Sequence, residues 1–262
     1  MPSKNPQNKK IYFTLLSASV ISIIAVLPYA FTLQADLLKL SPLPLPVLAL
    51  ISIVQSSILF AIAIYLGLKL SNKVGLGLPI LENYFKTKMI EPSLKSIFLN
   101  SGYYGVIAGG LIIIFDFVFK YLGVSITLGM NQIPPLWQRV IASLYGGISE
   151  ELLLRLFFMS LVIWIFSKIM RTKTEITKNN FIMWFSIIFA AIIFGLGHLP
   201  ITSSLTAITP LVISRAIILN GIGGIIFGWL FWKKGLEHAM IAHFTADIVI
   251  LAIFPLIISF FN

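Results

Sequence analysis

Apolar positions run through this chain in long unbroken stretches: 11–33, 44–69, 101–123, 136–168, 181–198, 205–232 and 237–261. Runs of about 18 residues or more with few charges predict transmembrane helices. The runs are continuous and show no in/out alternation, which argues against a membrane β-barrel. The pattern therefore predicts an all-α, polytopic membrane helical bundle. No internal repeat or low-complexity segment divides the chain, so 1–262 is expected to be a single integral-membrane domain.

Two runs resist a simple count. As one α-helix, 136–168 would be about 50 Å long at 1.5 Å per residue, more than a bilayer core needs. Either it tilts strongly, or 136–144, with Arg139, lies at the interface before the span begins. The run 205–232 holds Pro210, Arg215, Asn220 and the glycines of "NGIGG", so it reads as one broken span or two short ones. That leaves seven or eight crossings. The longest connector, "KLSNKVGLGLPILENYFKTKMIEPSLKS", fits an amphipathic interfacial segment or a solvated loop. The basic start followed by an apolar stretch of about 20 residues reads as a retained first span, long for a signal-peptide core.

Composition agrees. The chain is 58% hydrophobic and 11% charged, against roughly 25% charged in soluble domains. Its net charge of +10 does not mark a nucleic-acid binder, because the basic residues gather in short loops: Lys4 to Lys10, Lys69 to Lys95, Lys168 to Lys178 and Lys233–Lys234. The alternate loops carry almost none, Lys39 excepted, so the positive-inside rule puts the N-terminus in the cytoplasm. With no cysteine, a disulfide, a thiol nucleophile and a Cys-based zinc site are all excluded.

Ionisable groups inside spans are costly and usually pair or line a cavity. Here they are Asp116, Lys120, Glu150, Glu151, Arg155, His198, Arg215, His243 and Asp247, with Glu237 and His238 near a span end. In "GGISEELLLRLFF", Glu151 and Arg155 are spaced i, i+4 and share a helix face, where they can pair. At 100° per residue Glu150 projects about 140° from Arg155 and must find another partner or a task. Asp116 and Lys120, also i, i+4, read as a structural ion pair, and Arg215 as a stabiliser of its irregular run. His198 ends the fifth run in "FGLGHLP", where Gly195 and Gly197 leave the helix thin enough for close approach. In "HAMIAHFTAD", His243 and Asp247 are i, i+4, so the carboxylate can orient the imidazole. His238, at the span's edge, reads as interfacial.

Glu150, His198, His243 and Asp247 thus lie on three separate helices, an inventory for handling protons or activating water. There is no G-x-S-x-G, no H-E-x-x-H and no pair of intramembrane aspartates in a Gly-x-Gly-Asp setting. What remains is a glutamate with two histidines. A carboxylate in an apolar setting makes a serviceable general base, and a histidine can orient water or donate to an oxyanion.

The pattern Glu150-Glu151-x-x-x-Arg155, Phe194-x-x-x-His198 and His243-x-x-x-Asp247 resembles the CPBP family of intramembrane proteases. These are the CAAX-processing and bacteriocin-processing, or Abi, proteins related to type II CAAX prenyl endopeptidases. The resemblance covers 146–248, the expected catalytic core. It implies about eight transmembrane helices around an active site in an intramembrane cavity, and hydrolysis of a peptide or membrane-protein substrate without a cofactor. Glu150 and His198 would activate water, Glu151 and Arg155 would support the site, and His243 with residue 247 would form the oxyanion hole. Asp247 stands where much of the family has Asn, and an ionised aspartate cannot donate to an oxyanion. A zinc held by Glu150, His198 and His243 is a further variant. Two other classes fit parts of the pattern: an inactive immunity or scaffolding protein of the same fold, and a proton-coupled transporter, against which the absence of a repeat counts. One conflict is topological. With seven crossings His198 lies at the outer end of its helix and His243 near the inner end of the last, so they would not meet. Two crossings within 201–235, or a re-entrant stretch there, would bring them together.

Overall fold

Proline and small polar residues set where the helices begin. In the computed structural model, which describes residues 6–124, 133–171 and 176–260, the helices are α1 (Pro6–Leu33), α2 (Ala35–Lys39), α3 (Leu45–Val74), α4 (Pro79–Thr87) and α5 (Leu94–Tyr121), then α6 (Leu136–Ile169), α7 (Asn180–Gly197), α8 (Leu199–Ser203), α9 (Pro210–Lys234) and α10 (Leu236–Ser259). The Ser93, Asn179 and Thr209 side chains accept from the backbone N–H groups of Ser96, Ile182 and Val212, capping α5, α7 and α9. Among the described residues, seven helices are long and apolar enough to cross a membrane, α7 with its continuation α8 counting as one. The chain is an integral, multi-pass membrane protein of all-α architecture. Lys4, most of the loop between α5 and α6, and Lys173 lie outside the described residues, so the charge rule is not tested there.

Three expectations are resolved. The break or second crossing expected within 205–232 is not there, because α9 runs unbroken over 25 residues. Pro210 sits in its first turn, where no intrahelical N–H is needed. The Asn220 amide turns back onto the Ala216 carbonyl at 2.8 Å. The run 136–168 is one continuous helix: Leu136–Leu144 passes directly into π-helical turns at Tyr145–Glu150 and Leu152–Met159, and then into regular helix to Ile169. The long connector is not a plain solvated loop. Leu76 and Leu78 are buried, and α4 lays Leu81 and Phe85 on the core. The Leu81 N–H donates to Glu237 Oε1 at 2.8 Å and the Leu236 N–H to the Gly77 carbonyl at 3.1 Å, tying α4 to the start of α10.

The outer helices expose apolar side chains, such as Leu50, Ile58 and Ile62 on α3 and Ile114 and Phe117 on α5, as a lipid-facing surface requires. The core is formed where α6, α7, α9 and α10 meet: Leu152, Leu156, Met159 and Ile163 with Ile182, Ile187, Phe227, Phe231, Ala239 and Ala242. Lipid tails are as apolar as leucine, so helices associate here through close packing rather than expulsion of water. Gly195 shows how close. A Cβ there would lie 2.5 Å from Ile217 Cα, so α7 and α9 touch backbone to backbone. Gly197, by contrast, faces open space.

Candidate active site

The π turns of α6 lie where the two glutamates are. A π turn carries one more residue than an α turn, is uncommon, and often marks a functional site. The Glu151–Arg155 pair persists through it: Arg155 Nη1 is 2.9 Å from Glu151 Oε1, both side chains almost wholly buried. The contact is an ion pair without good hydrogen-bond alignment. Arg155 Nη2 also donates, at 3.4 Å, to the Gly224 carbonyl of α9, and the guanidinium lies over the rings of Phe194 and Phe227.

His243, on α10, completes the cluster. Its Nδ1 is 2.7 Å from Glu151 Oε1, and its Nε2 lies 3.6 Å from Glu150 Oε2 and 3.7 Å from Asp247 Oδ1. Two sequence expectations change. The partner that orients His243 is Glu151, not Asp247, because the carboxylate one helical turn away reaches only the far nitrogen. The adjacent glutamates do not serve unrelated faces either. They address the two nitrogens of one imidazole, Glu151 by a hydrogen bond and Glu150 without one. A carboxylate at Nδ1 is an acceptor, so Nδ1 carries the proton in that bond and Nε2 is left to the cavity.

Small residues allow α6 and α10 this approach. A methyl group on Gly146 would collide with Asp247 Oδ2 and lie 3.0 Å from His243 Nε2. On Gly147 it would lie 2.7 Å from Phe244 Cβ and 2.9 Å from the Met240 carbonyl oxygen. Beside Glu150, Ser149 is buried and its hydroxyl bonds that of Ser22 at 2.7 Å, fastening α1 to the same turn.

These groups open onto a cavity of about 490 Å³ whose lining includes Glu150, His198, His243, Asp247, Tyr145 and Arg215. His198 and His243 therefore share a cavity with only seven crossings. The conflict disappears because the cavity is deep and side chains span it. Gly195 meets α9 at Ile217, whereas Phe227, ten residues further along α9, stacks on His243. That separation is about 15 Å of helix axis. The Phe194 ring fills part of the interval, 4.8 Å from the His198 ring and 5.8 Å from that of His243. His198 Nδ1 is 2.9 Å from the Phe194 carbonyl oxygen, an acceptor, so its Nε2 is the free nitrogen. Among the described residues, no hydrogen bond or ion pair joins Glu150 to His198. Nor is any group of three or more His, Asp and Glu side chains placed to hold a metal ion. The set Glu150, His198 and His243 is thus not gathered as ligands.

Residues 132–249 match the family model described as type II CAAX prenyl endopeptidase Rce1-like. That stretch, a little under half of the chain, is similar to this family. No curated protein and no solved structure matches the chain. The Rce1-like stretch begins just before α6 and ends in α10, taking in the cavity-lining residues except those of α1 and α5 and Ile250 and Leu251 of α10.

Outside the Rce1-like cluster, Asp116 and Lys120 pair as expected, at 3.0 Å. Arg215 joins them, both its Nε and its Nη2 donating to Asp116 Oδ1, so it bridges α9 to α5. His238, expected at the span's edge, has a partner inside the protein. It is buried, its Nδ1 2.7 Å from the Ser101 hydroxyl of α5. The sequence reading missed Phe227, which stacks on His243 with ring centroids 4.5 Å apart and planes 21° from parallel. Nothing distinguishes it among 21 phenylalanines. Gly146 and Gly147 carried a usable signal, a small-residue pair one turn before two intramembrane carboxylates.

Proposed function

We infer that the protein is an intramembrane endopeptidase that hydrolyses a peptide bond with water activated by Glu150. The observation that carries this reading is the state of Glu150: its carboxylate opens into the cavity, makes no hydrogen bond among the described residues, and stands beside an imidazole held in place by Glu151. A base must be within reach of its water and not already engaged, and Glu150 meets both conditions.

In this reading Glu150 takes a proton from water as the water oxygen attacks the substrate carbonyl. The carbonyl oxygen gains negative charge. A histidine N–H directed into the cavity, from His198 or His243 Nε2, stabilises it when that nitrogen carries a proton. The tetrahedral intermediate collapses, the C–N bond breaks, and Glu150 returns its proton to the departing amine. No covalent enzyme intermediate forms. Asp247, 3.7 Å from His243 Nε2, acts on the imidazole rather than as a donor to the oxyanion unless it is protonated. The Rce1-like match supports a peptide hydrolase, and the distances support this division of roles. The loop charges support an N-terminus in the cytoplasm.

The test is a comparison of fragments in membranes carrying the wild type and Glu150→Gln. Fragments present only with the wild type support proteolysis. Identical fragment patterns, with both proteins folded and equally abundant, would sink the assignment and favour an inactive scaffold.

A further inference from the structure

The far end of the cavity from Glu150 holds a cation that catalysis does not use. Arg215 lines the same cavity as Glu150 and His243. Among the described lining residues it is the one lysine or arginine. Its Nε and Nη2 both bond Asp116 Oδ1, while Nη1 has no hydrogen-bond partner among the described residues. Asp116 gives its other oxygen to Lys120. Two cations thus share one carboxylate, and the cluster keeps a formal charge of +1. Lys120, in the last turn of α5, is 56% exposed and does not line the cavity, so Arg215 is the member of the cluster that presents positive charge to the space a substrate must enter.

We propose that Arg215 holds a carboxylate of the peptide substrate and so fixes which bond reaches Glu150. The proposal rests on the endopeptidase reading. A guanidinium binds carboxylates through a planar fork, and a partly occupied fork can still accept one more oxygen. Along α9, Arg215 lies twelve residues before Phe227, which stacks on His243. Twelve residues are about 18 Å of helix, or roughly five residues of extended peptide. The long arginine side chain shortens the interval when it points inward. The anion would therefore sit no more than about five residues from the bond that is cut. It is either the terminal carboxylate of a short C-terminal segment or an Asp or Glu side chain at that spacing.

The experiment uses full-length protein in detergent or proteoliposomes and a peptide library hydrolysed by the wild type but not by Glu150→Gln. If no member meets that condition, the endopeptidase reading itself fails. Members that meet it are prepared in three matched forms: free C-terminal acid, C-terminal amide, and amide with one Asp placed within five residues after the cut. For the wild type, kcat/KM should favour a carboxylate-bearing form over the plain amide by about 10- to 100-fold, carried mainly by KM, as expected for a charge-assisted hydrogen bond. Arg215→Gln should bring that ratio close to one, and Arg215→Lys should restore part of it. If Arg215→Gln does not fold, Asp116→Asn serves instead: it removes the competing internal carboxylate and should raise the preference. Preference for the free acid assigns the terminal carboxylate, and preference for the Asp form assigns a side chain. Equal wild-type rates on all three forms, or a preference unchanged in Arg215→Gln, would overturn the proposal while leaving proteolysis in place.

Discussion

The molecule contains two intramembrane clusters of the same sequence design. In each, an acid and a base are spaced i, i+4 on one helix and a third ionisable group comes from another. Glu151 and Arg155 of α6 meet His243 of α10; Asp116 and Lys120 of α5 meet Arg215 of α9. Burial separates them. The side chains of Glu151 and Arg155 are 0% and 2% exposed, whereas those of Asp116 and Lys120 are 21% and 56% exposed. A buried pair is a fixed frame, because removing one partner strands the other without water. A partly exposed pair can exchange partners at little cost, which suits contact with a substrate.

The largest effect should therefore come from Arg155→Met. It leaves Glu151 buried without its counter-charge, a loss of about 3–5 kcal/mol by analogy with other broken buried pairs. Folded yield and melting temperature in detergent should fall sharply; a melting temperature within a degree or two of wild type would remove the fixed-frame account. Gly146→Ala should come next. The added methyl meets Asp247 and His243, and overpacking of this kind costs about 1–3 kcal/mol. Cleavage should fall by more than stability does, because the displaced groups are those at the site. Unchanged cleavage would mean that α6 and α10 have more freedom than the packing implies. Phe227→Leu removes the stack on His243, worth about 0.5–1.5 kcal/mol for an aromatic pair. It should lower kcat modestly, with little change in KM. Lys120→Gln should do least, under about 1 kcal/mol, because its ammonium is mostly exposed and Asp116 keeps Arg215. A large loss of stability there would erase the contrast between the two clusters.

Much of this was legible in the sequence. Continuous apolar runs gave the spans, and i, i+4 spacing gave both intrahelical pairs, since one helix suffices to place them. Interhelical facts were less accessible. The hydrogen-bond partner of His243 was expected four residues away on its own helix, yet Glu151 holds it from α6. The 100° rule separated Glu150 from Glu151, whereas π turns and the Gly146–Gly147 contact bring α10 close enough for one imidazole to face both. The family resemblance implies about eight crossings, and a second crossing within 201–235 would also bring His198 and His243 together. Seven suffice among the described residues, because Phe194 and a deep cavity bridge levels that a span count treats as opposite ends.

The central claim is that Glu150 is free to act because Glu151 and Arg155 hold the frame beside it. The most direct measurement is Glu150→Gln in purified, reconstituted protein, read for melting temperature and peptide cleavage together. Glu150 makes no hydrogen bond among the described residues, so the melting temperature should stay near wild type while cleavage disappears. Retained cleavage in a folded Glu150→Gln protein would contradict the account.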